Sequence, residues 1–237
     1  MKERRKAETK FPWLLVTACG VVVLVAGGLW VRHMVNRVDR IMEEARRSLF
    51  RLHEQAAISM LRDLADAQDL FRVAASADAD GDGQGEYGDL EALADAVLRR
   101  DPPLDLDAWI EGKPIGLGGG GDELPRALEK VGGRRIRHEG YHYIVFLPAG
   151  GGDADLAERH WCAYAWPTDD EAGTRAFFVN ETGEILSCDG LAGPMAPASD
   201  AAYLPGPPGI TGPAAADAKG RDGRHWSPIS GMSVEIR

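Results

Sequence analysis

The pattern of apolar residues near the N-terminus predicts a helix that crosses a membrane. Residues 11–31 are predominantly apolar and carry no charged side chain. As a helix with a rise of about 1.5 Å per residue, this segment is about 31 Å long, which matches the hydrocarbon thickness of a bilayer. Trp13 and Trp30 lie near its two ends, where indole rings favour the headgroup region. The pattern therefore predicts a transmembrane helix.

A signal peptide and a lipoprotein anchor are the alternatives for this segment. A signal peptide has a shorter apolar region and a polar mature start, whereas Val31 continues directly into Arg32 and a helical pattern. Residues 16–19 (Val-Thr-Ala-Cys) imitate a lipobox, but acylation of Cys19 would leave the apolar residues that follow it without a role. We therefore expect a retained anchor.

Apolar positions continue at helical spacing beyond the predicted span, up to Ala75. A first stripe consists of Val38, Met42, Ala45, Leu49, Leu52 and Ala56. From Ile58 onward the stripe shifts to another face, with Ile58, Leu61, Leu64, Ala65, Gln68 and Phe71. We predict that the first stripe packs on a helix of another copy of the chain, and that the second packs on the protein's own sheet. A coiled-coil homodimer would give the same pattern.

Segments rich in β-branched and aromatic residues follow in the second half of the chain. They predict four strands over residues 141–147, 160–166, 175–180 and 184–188, and short turns join the last three. Residues 90–100 predict an additional short helix. The predicted fold class is α+β, with an N-terminal transmembrane helix that continues into a long amphipathic helix packed on an antiparallel β-meander.

Composition divides the chain into five parts. These are a cytoplasmic basic segment (1–10), a transmembrane helix (11–31), a helical stalk (32–57), a globular domain (58–190) and a C-terminal segment rich in Gly, Pro and Ala (191–237). The last part predicts a loop or a tail. Trp226 and Ile229 are expected to return and cover the edge of the sheet, because an unpaired strand edge favours aggregation.

Charge is distributed unevenly between the two ends of the chain. The net charge of −10 separates into +6 for residues 1–51 and −16 for the remainder. The acidic part repels phosphate groups, which excludes nucleic acid as a partner. Lys and Arg are in modest excess before the predicted span, which favours a cytoplasmic N-terminus and an exported domain.

Residues 78–89 have the ligand spacing of an EF-hand-type calcium loop. A glycine, Gly83, occupies the turn position, and Gly85 stands at position 8, where an aliphatic residue is usual. The alternative is an Asp- and Gly-rich turn that ends the helix. The candidate ligands are Asp78, Asp80, Asp82, the backbone carbonyl of Gln84, Glu86 and Asp89, although the last is shorter than the usual glutamate.

Two further motifs match catalytic or cofactor signatures. Residues 138–142 spell H-E-x-x-H, the signature of a zinc hydrolase, which requires a helix to bring both imidazoles onto one face. Gly140 and the β-rich residues after it predict a strand instead. Residues 116–121 satisfy G-x-G-x-x-G, but Asp122 and Glu123 follow directly and would repel a phosphate. We therefore predict a protein that is not an enzyme, with a zinc hydrolase as the less favoured alternative.

Cys162 and Cys188 are expected in an oxidising compartment, where a disulfide forms readily. In a simple meander they lie two strands apart, beyond the Cα separation of about 7 Å that a disulfide tolerates. The sequence leaves two alternatives, a disulfide between the two cysteines or two buried free thiols.

Several segments together resemble bacterial type IV pilin-like proteins of a planctomycete-type group, similar to the pseudopilins of the general secretion pathway. The matching segments are residues 56–71, 80–88, 124–128, 140–143, 161–167 and 176–186. The resemblance implies a long N-terminal helix on an antiparallel sheet, and calcium in a loop. It also implies the bacterial inner membrane as the location, with the domain in the periplasm or otherwise outside the cytoplasm. The expected partners are the lipid bilayer, other copies of the chain, and secretion or pilus-like machinery.

The N-terminus departs from the prepilin pattern. Lys10 precedes Phe11 where prepilins carry a glycine, and Leu15 stands where they carry a glutamate. The expected function is therefore a membrane-anchored, pilin-like structural or assembly component of the bacterial cell envelope without prepilin processing. A calcium-dependent envelope binding or sensing module is the alternative.

Overall fold

The computed structural model describes residues 13–98, 135–148, 154–206 and 209–229, with side chains from residue 30 to residue 96 in the first of these ranges. The helices are α1 (Trp13–Val73), α2 (Leu90–Leu98) and α3 (Ala154–Ala157). The strands are β1 (Arg135–His138), β2 (Tyr141–Phe146), β3 (Cys162–Pro167), β4 (Arg175–Asn180), β5 (Leu186–Asp189), β6 (Ala218–Lys219) and β7 (His225–Pro228). The described chain is thus α+β, as the pattern predicted.

Helix α1 ends in a backbone arrangement that stops it sharply. Ala75 has a positive φ of 44°. Its N–H donates to the carbonyl of Arg72, and the N–H of Ser76 donates to the carbonyl of Phe71. These two bonds form a Schellman motif, which satisfies carbonyl groups that the helix end leaves unpaired. Helix α1 therefore ends at a defined position, shortly before the acidic loop of residues 78–89.

The N-terminal half of α1 belongs to a different compact unit from the sheet. The first unit ends at Ser48 and the second begins at Leu49. Across the part of the chain that the structure describes, no helix is both long enough and apolar enough to cross a membrane. The predicted span, residues 11–31, lies outside the residues with described side chains, apart from Trp30 and Val31. The basic segment 1–10 and the glycine-rich match at 116–121 also lie outside the described residues.

The strands form one seven-stranded sheet in the order β1-β2-β3-β4-β5-β7-β6, and every pair is antiparallel. Strands β2 to β5 confirm the predicted meander. Strand β1 was not predicted; it joins β2 through Glu139 and Gly140, which both have positive φ, as a two-residue hairpin turn of type I′ requires.

One face of the sheet packs on α1. The second apolar stripe of this helix is buried there: Leu61 and Leu64 are fully buried, and Phe71 is almost so. They contact the alternate side chains of β2, β3 and β4 that point to this face. The prediction that the second stripe packs on the protein's own sheet is confirmed.

The opposite face of the sheet packs on residues from the C-terminal segment. Tyr203, Ile210 and Trp226 are buried against the other alternate side chains of the strands, including Tyr164 and Phe178. Strand β7 carries Trp226 and pairs with β5 at the edge of the meander, which confirms the expectation that this segment covers the edge. The sheet is therefore buried on both faces.

The two described cysteines are free thiols. Cys162 lies in β3 and Cys188 in β5, with β4 between them. Both are buried, and the Cys162 thiol donates to the carbonyl oxygen of Ser199 at 3.4 Å. The structure thus contains two buried free thiols and no disulfide between Cys162 and Cys188.

Candidate metal centre

The acidic loop, residues 78–89, begins where α1 ends and packs against the end of the helix. Gly85 lies so close to the helix that an added Cβ would clash with the carbonyl oxygen of Arg72 and lie 2.8 Å from Cα of Ala75. A glycine is required here because the neighbouring atoms are backbone and cannot rotate away. The departure from the usual calcium loop at position 8 therefore has a structural reason.

Gln68 holds the second half of the loop. Its amide nitrogen donates to the carbonyl of Gly88 at 2.6 Å, and its amide oxygen accepts from the N–H of Gly88 at 2.8 Å. Gln68 is completely buried, so both bonds form away from water. The loop is thus fixed to α1 on both sides of Glu86.

Three predicted ligands converge in the first half of the loop. Oxygen atoms from Asp78, Asp80 and Asp82 lie within 4.8 Å of one another, and all three side chains are exposed. The N–H groups of Gly81 and Gly83 donate to Asp78. Backbone donors thus orient a cluster of negative charge.

The other candidate ligands have different contacts. Glu86 accepts from the N–H of Ala79 at 2.8 Å and is buried, with Oε2 left without a hydrogen-bond partner. Asp89 caps α2, because its Oδ1 accepts from the N–H of Ala92 at 2.8 Å. The side chain of Gln84 donates to Asp82. The hydrogen bond from the backbone N–H of Gln84 to Asp82, together with this side-chain bond, holds the pKa of Asp82 below its usual value.

Two acids outside the loop complete the cluster, and the sequence analysis missed them. Oxygen atoms from Asp80, Asp155 and Glu158 lie within 4.8 Å of one another. Asp155 lies in α3, and Glu158 is the first residue after the end of this helix. The N–H of Tyr87 donates to the carbonyl of Ala157 at 2.9 Å, which fixes α3 against the loop. We call Asp80, Asp155 and Glu158 the loop–α3 triad.

Glu158 is the unusual member of the loop–α3 triad. Its side chain is 5% exposed, and Oε1 has no hydrogen-bond partner. Burial raises the pKa of Glu158, and the negative charges of Asp82, Asp80 and Asp155 raise it further. A buried carboxylate without a partner is costly, and a bound cation offsets that cost directly.

A cleft of about 480 Å³ opens beside the triad. It is lined by side chains of Phe71, Asp80, Glu86 and Leu147, and by Ala157 at the end of α3. Asp80 and Glu86 therefore both line the same cleft, on either side of the turn of the acidic loop. The cleft thus borders one buried carboxylate, that of Glu86, and one exposed carboxylate of the triad, that of Asp80.

The H-E-x-x-H motif does not form a helical zinc site. His138 ends β1, and His142 lies in β2, on the other side of the turn at Glu139 and Gly140. By strand alternation, His138 shares the helix face of the sheet with Ile136, whereas His142 shares the opposite face with Ile144. The two imidazoles therefore point to opposite faces.

A separate feature is the apolar surface of α1 before the sheet. Val38, Met42, Leu49 and Leu52, four members of the first predicted stripe, are 46–66% exposed. Charged side chains flank them, including an exposed ion pair between Glu43 and Arg47. We call the exposed residues Val38 and Met42, with Val31 and Val35 before them, the stalk stripe.

A comparison with protein-family models, curated proteins and solved structures finds no match to this chain. The likeness to pilin-like proteins therefore rests on the sequence segments themselves.

Proposed function

We propose that this protein is a membrane-anchored, pilin-like structural or assembly component of the bacterial cell envelope, and that it acts without catalysis. Its apolar segment, residues 11–31, anchors it in the inner membrane with the N-terminus in the cytoplasm. The globular domain lies outside the cytoplasm. Other copies of the chain, or secretion or pilus-like machinery, bind along the helix.

The observation that carries this proposal is the stalk stripe. Met42 is 66% exposed and Val38 is 53% exposed, although both lie on a face whose spacing suits a helical partner. An apolar stripe of this kind is typical of an interaction surface. The second stripe of the same helix is already covered by the sheet, so only the first is available to a partner.

The absence of an assembled catalytic motif among the described residues is consistent with this function. His138 and His142 are on opposite faces of the sheet, and the acidic cluster contains no histidine or cysteine. The described residues thus offer an apolar surface and a set of carboxylates for function.

Disulfide cross-linking in bacterial membranes tests the proposal. The full chain is expressed with Cys19→Ala, and a single cysteine is introduced as Met42→Cys or, as the control, Arg40→Cys. Two residues correspond to a rotation of about 200° around a helix, so the control lies at nearly the same height but on the opposite face. The buried thiols of Cys162 and Cys188 remain in both variants.

A mild oxidant is expected to give a dimer, or a larger adduct with a second envelope protein, from Met42→Cys and little from Arg40→Cys. Equal cross-linking of the two variants, or none from either, contradicts assembly through the stalk stripe. Membrane fractionation of the same cells tests the anchor, because release of the chain by alkaline carbonate contradicts a transmembrane segment. N-terminal sequencing that finds Met1 or Lys2 is expected; a new N-terminus at Phe11 would contradict the absence of processing.

A further inference from the structure

We infer that the loop–α3 triad binds a calcium ion between the acidic loop and α3. Asp80, Asp155 and Glu158 are the principal ligands, and Asp82 and Asp78 supply further oxygen atoms on the solvent side. This ligand set differs from the loop-only set that the sequence predicts. It is also independent of the proposed assembly through α1.

The distances within the triad suit one shared ion. Calcium binds oxygen at about 2.3–2.6 Å, so two oxygens on opposite sides of the same ion are at most about 5 Å apart. The three triad oxygens lie within 4.8 Å of one another. The oxygens of Asp78, Asp80 and Asp82 meet the same limit, and Asp80 belongs to both groups.

Glu158 provides the observation that distinguishes this cluster from an ordinary acidic surface. Exposed acids are solvated by water, but Glu158 is 5% exposed and its Oε1 has no hydrogen-bond partner. The charged groups that act on it are Asp80, Asp82 and Asp155, all acidic, and the exposed cation Arg159. A bound cation would satisfy the unpaired oxygen and screen the repulsion among the acids.

The chemistry of the donors selects the ion. All candidate ligands are carboxylate oxygens, which suit hard cations and not the softer metals that prefer nitrogen or sulfur. Magnesium requires a nearly ideal octahedron and retains several waters, whereas calcium accepts six to eight oxygens in flexible geometry. A site assembled from an irregular loop and a four-residue helix therefore favours calcium.

Ion binding would connect two segments that are distant in sequence. The acidic loop follows α1, and α3 lies between β2 and β3. A backbone hydrogen bond from Tyr87 to Ala157 joins these two segments at the same junction. Calcium would thus reinforce the contact that positions the loop over the end of the helix.

Calorimetry and thermal unfolding of the full chain, purified in detergent and stripped with EDTA, test the site. Calcium chloride is the probe. We expect saturable heat with about one ion per chain, and a rise in melting temperature of roughly 5–10 °C at calcium about 100-fold above Kd. No heat and no shift would overturn the inference. An equal shift with magnesium chloride would overturn the assignment to calcium.

Glu158→Gln gives the sharpest comparison. This variant removes the repelling charge but keeps the shape of the side chain, so in EDTA its melting temperature should equal or exceed that of the wild type. In calcium the order should reverse, with an affinity at least about tenfold weaker. A variant that binds calcium like the wild type, or that is less stable in both conditions, would overturn the role of Glu158.

Glu171→Gln serves as the matched control. Glu171 is exposed and lies beside Ala172, whose carbonyl contacts His53 on an early turn of the buried part of α1. That location is more than 20 residues before the acidic loop along the helix, so the control should bind calcium like the wild type. Because the cross-linking at Met42 reports on another surface, either proposal can fail while the other holds.

Discussion

Glu54 of α1 and Arg175 of β4 form an ion pair that joins the helix to the sheet. Arg175 donates to Oε2 of Glu54 from both Nε and Nη2, at 3.2 and 2.5 Å. The Glu54 side chain is 9% exposed and that of Arg175 is 33% exposed. The hydroxyl of Tyr141 donates to the backbone carbonyl of Arg175 at 3.0 Å, which fixes the strand at the same place. The ion pair therefore sets the position of β4 along the helix.

Removal of the cation should cost more than removal of the anion. Arg175→Met leaves the buried Glu54 carboxylate unpaired, which should lower the free energy of unfolding by about 3 kcal/mol. Glu54→Gln leaves Arg175 partly solvated and should cost about 1 kcal/mol. Urea unfolding of both variants measures the difference. The reverse order would show that Glu54 is not dependent on Arg175.

Gly85→Ala should destabilise the protein strongly. The added methyl group clashes with backbone atoms at the end of α1, which cannot yield without shifting the helix end. We expect a loss of about 2–3 kcal/mol. Gly212→Ala is the control, since no atom lies within 4 Å of its added Cβ and its cost should stay within about 0.5 kcal/mol. Similar stabilities for the two variants in thermal unfolding would contradict the close packing of the loop.

Gln68→Met should detach the loop while retaining the volume of the side chain. The substitution leaves the buried N–H and carbonyl of Gly88 without their side-chain partner. The expected cost is about 2–3 kcal/mol, because both groups lose a bond and remain largely desolvated. Hydrogen exchange provides the direct measurement, with faster exchange expected at Gly88 and unchanged exchange in β3 and β4. Unaltered protection of Gly88 would contradict the role of Gln68 in holding the loop.

Leu61→Asp or Phe71→Asp should unfold the globular domain. Both side chains are buried against the sheet, and a carboxylate there has no partner. Leu49→Asp on the same helix should leave the melting temperature unchanged, since Leu49 is 46% exposed. A wild-type melting temperature for Leu61→Asp or Phe71→Asp would contradict the packing of α1 on the sheet.

The buried thiols should react slowly. Burial raises the pKa of Cys188 to about 12 and raises that of Cys162 beyond the usual range. Little thiolate is present at pH 8, so iodoacetamide should label both residues only after denaturation, as mass spectrometry can measure. Rapid labelling of the folded chain, or a disulfide in the non-reduced protein, would contradict this prediction.

Because burial raises the pKa of both thiols, we also expect the folded protein to lose stability at high pH. Below the ordinary thiol pKa of 9.0 both the folded and the unfolded chain keep the proton, and these groups do not affect stability. Above pH 9 the unfolded chain loses the proton while the folded chain retains it, so the free energy of unfolding falls. Cys188→Ala should reduce this decline between pH 9 and 11. An unchanged pH dependence would assign the loss of stability to other groups.

Local periodicity was sufficient to predict α1, α2 and the four strands of the meander. The second stripe of α1 was predicted at the right positions because a buried helical face repeats every three to four residues. Strands β6 and β7 were not predicted, since they have only two and four residues, respectively. The composition of the C-terminal segment, rich in Gly, Pro and Ala, gives no period by which to recognise it.

The sequence by itself determined that an acidic loop follows a long helix, because both features consist of consecutive residues. Only the tertiary structure decided which acids meet. The carboxylates of Glu86 and Asp89 accept hydrogen bonds from nearby backbone N–H groups. The acids that lie beside Asp80 are instead Asp155 and Glu158, which follow it by more than 70 residues in the sequence. The physical reason is that spacing along the chain fixes local geometry, while convergence on one point depends on how the sheet positions α3 against the end of α1.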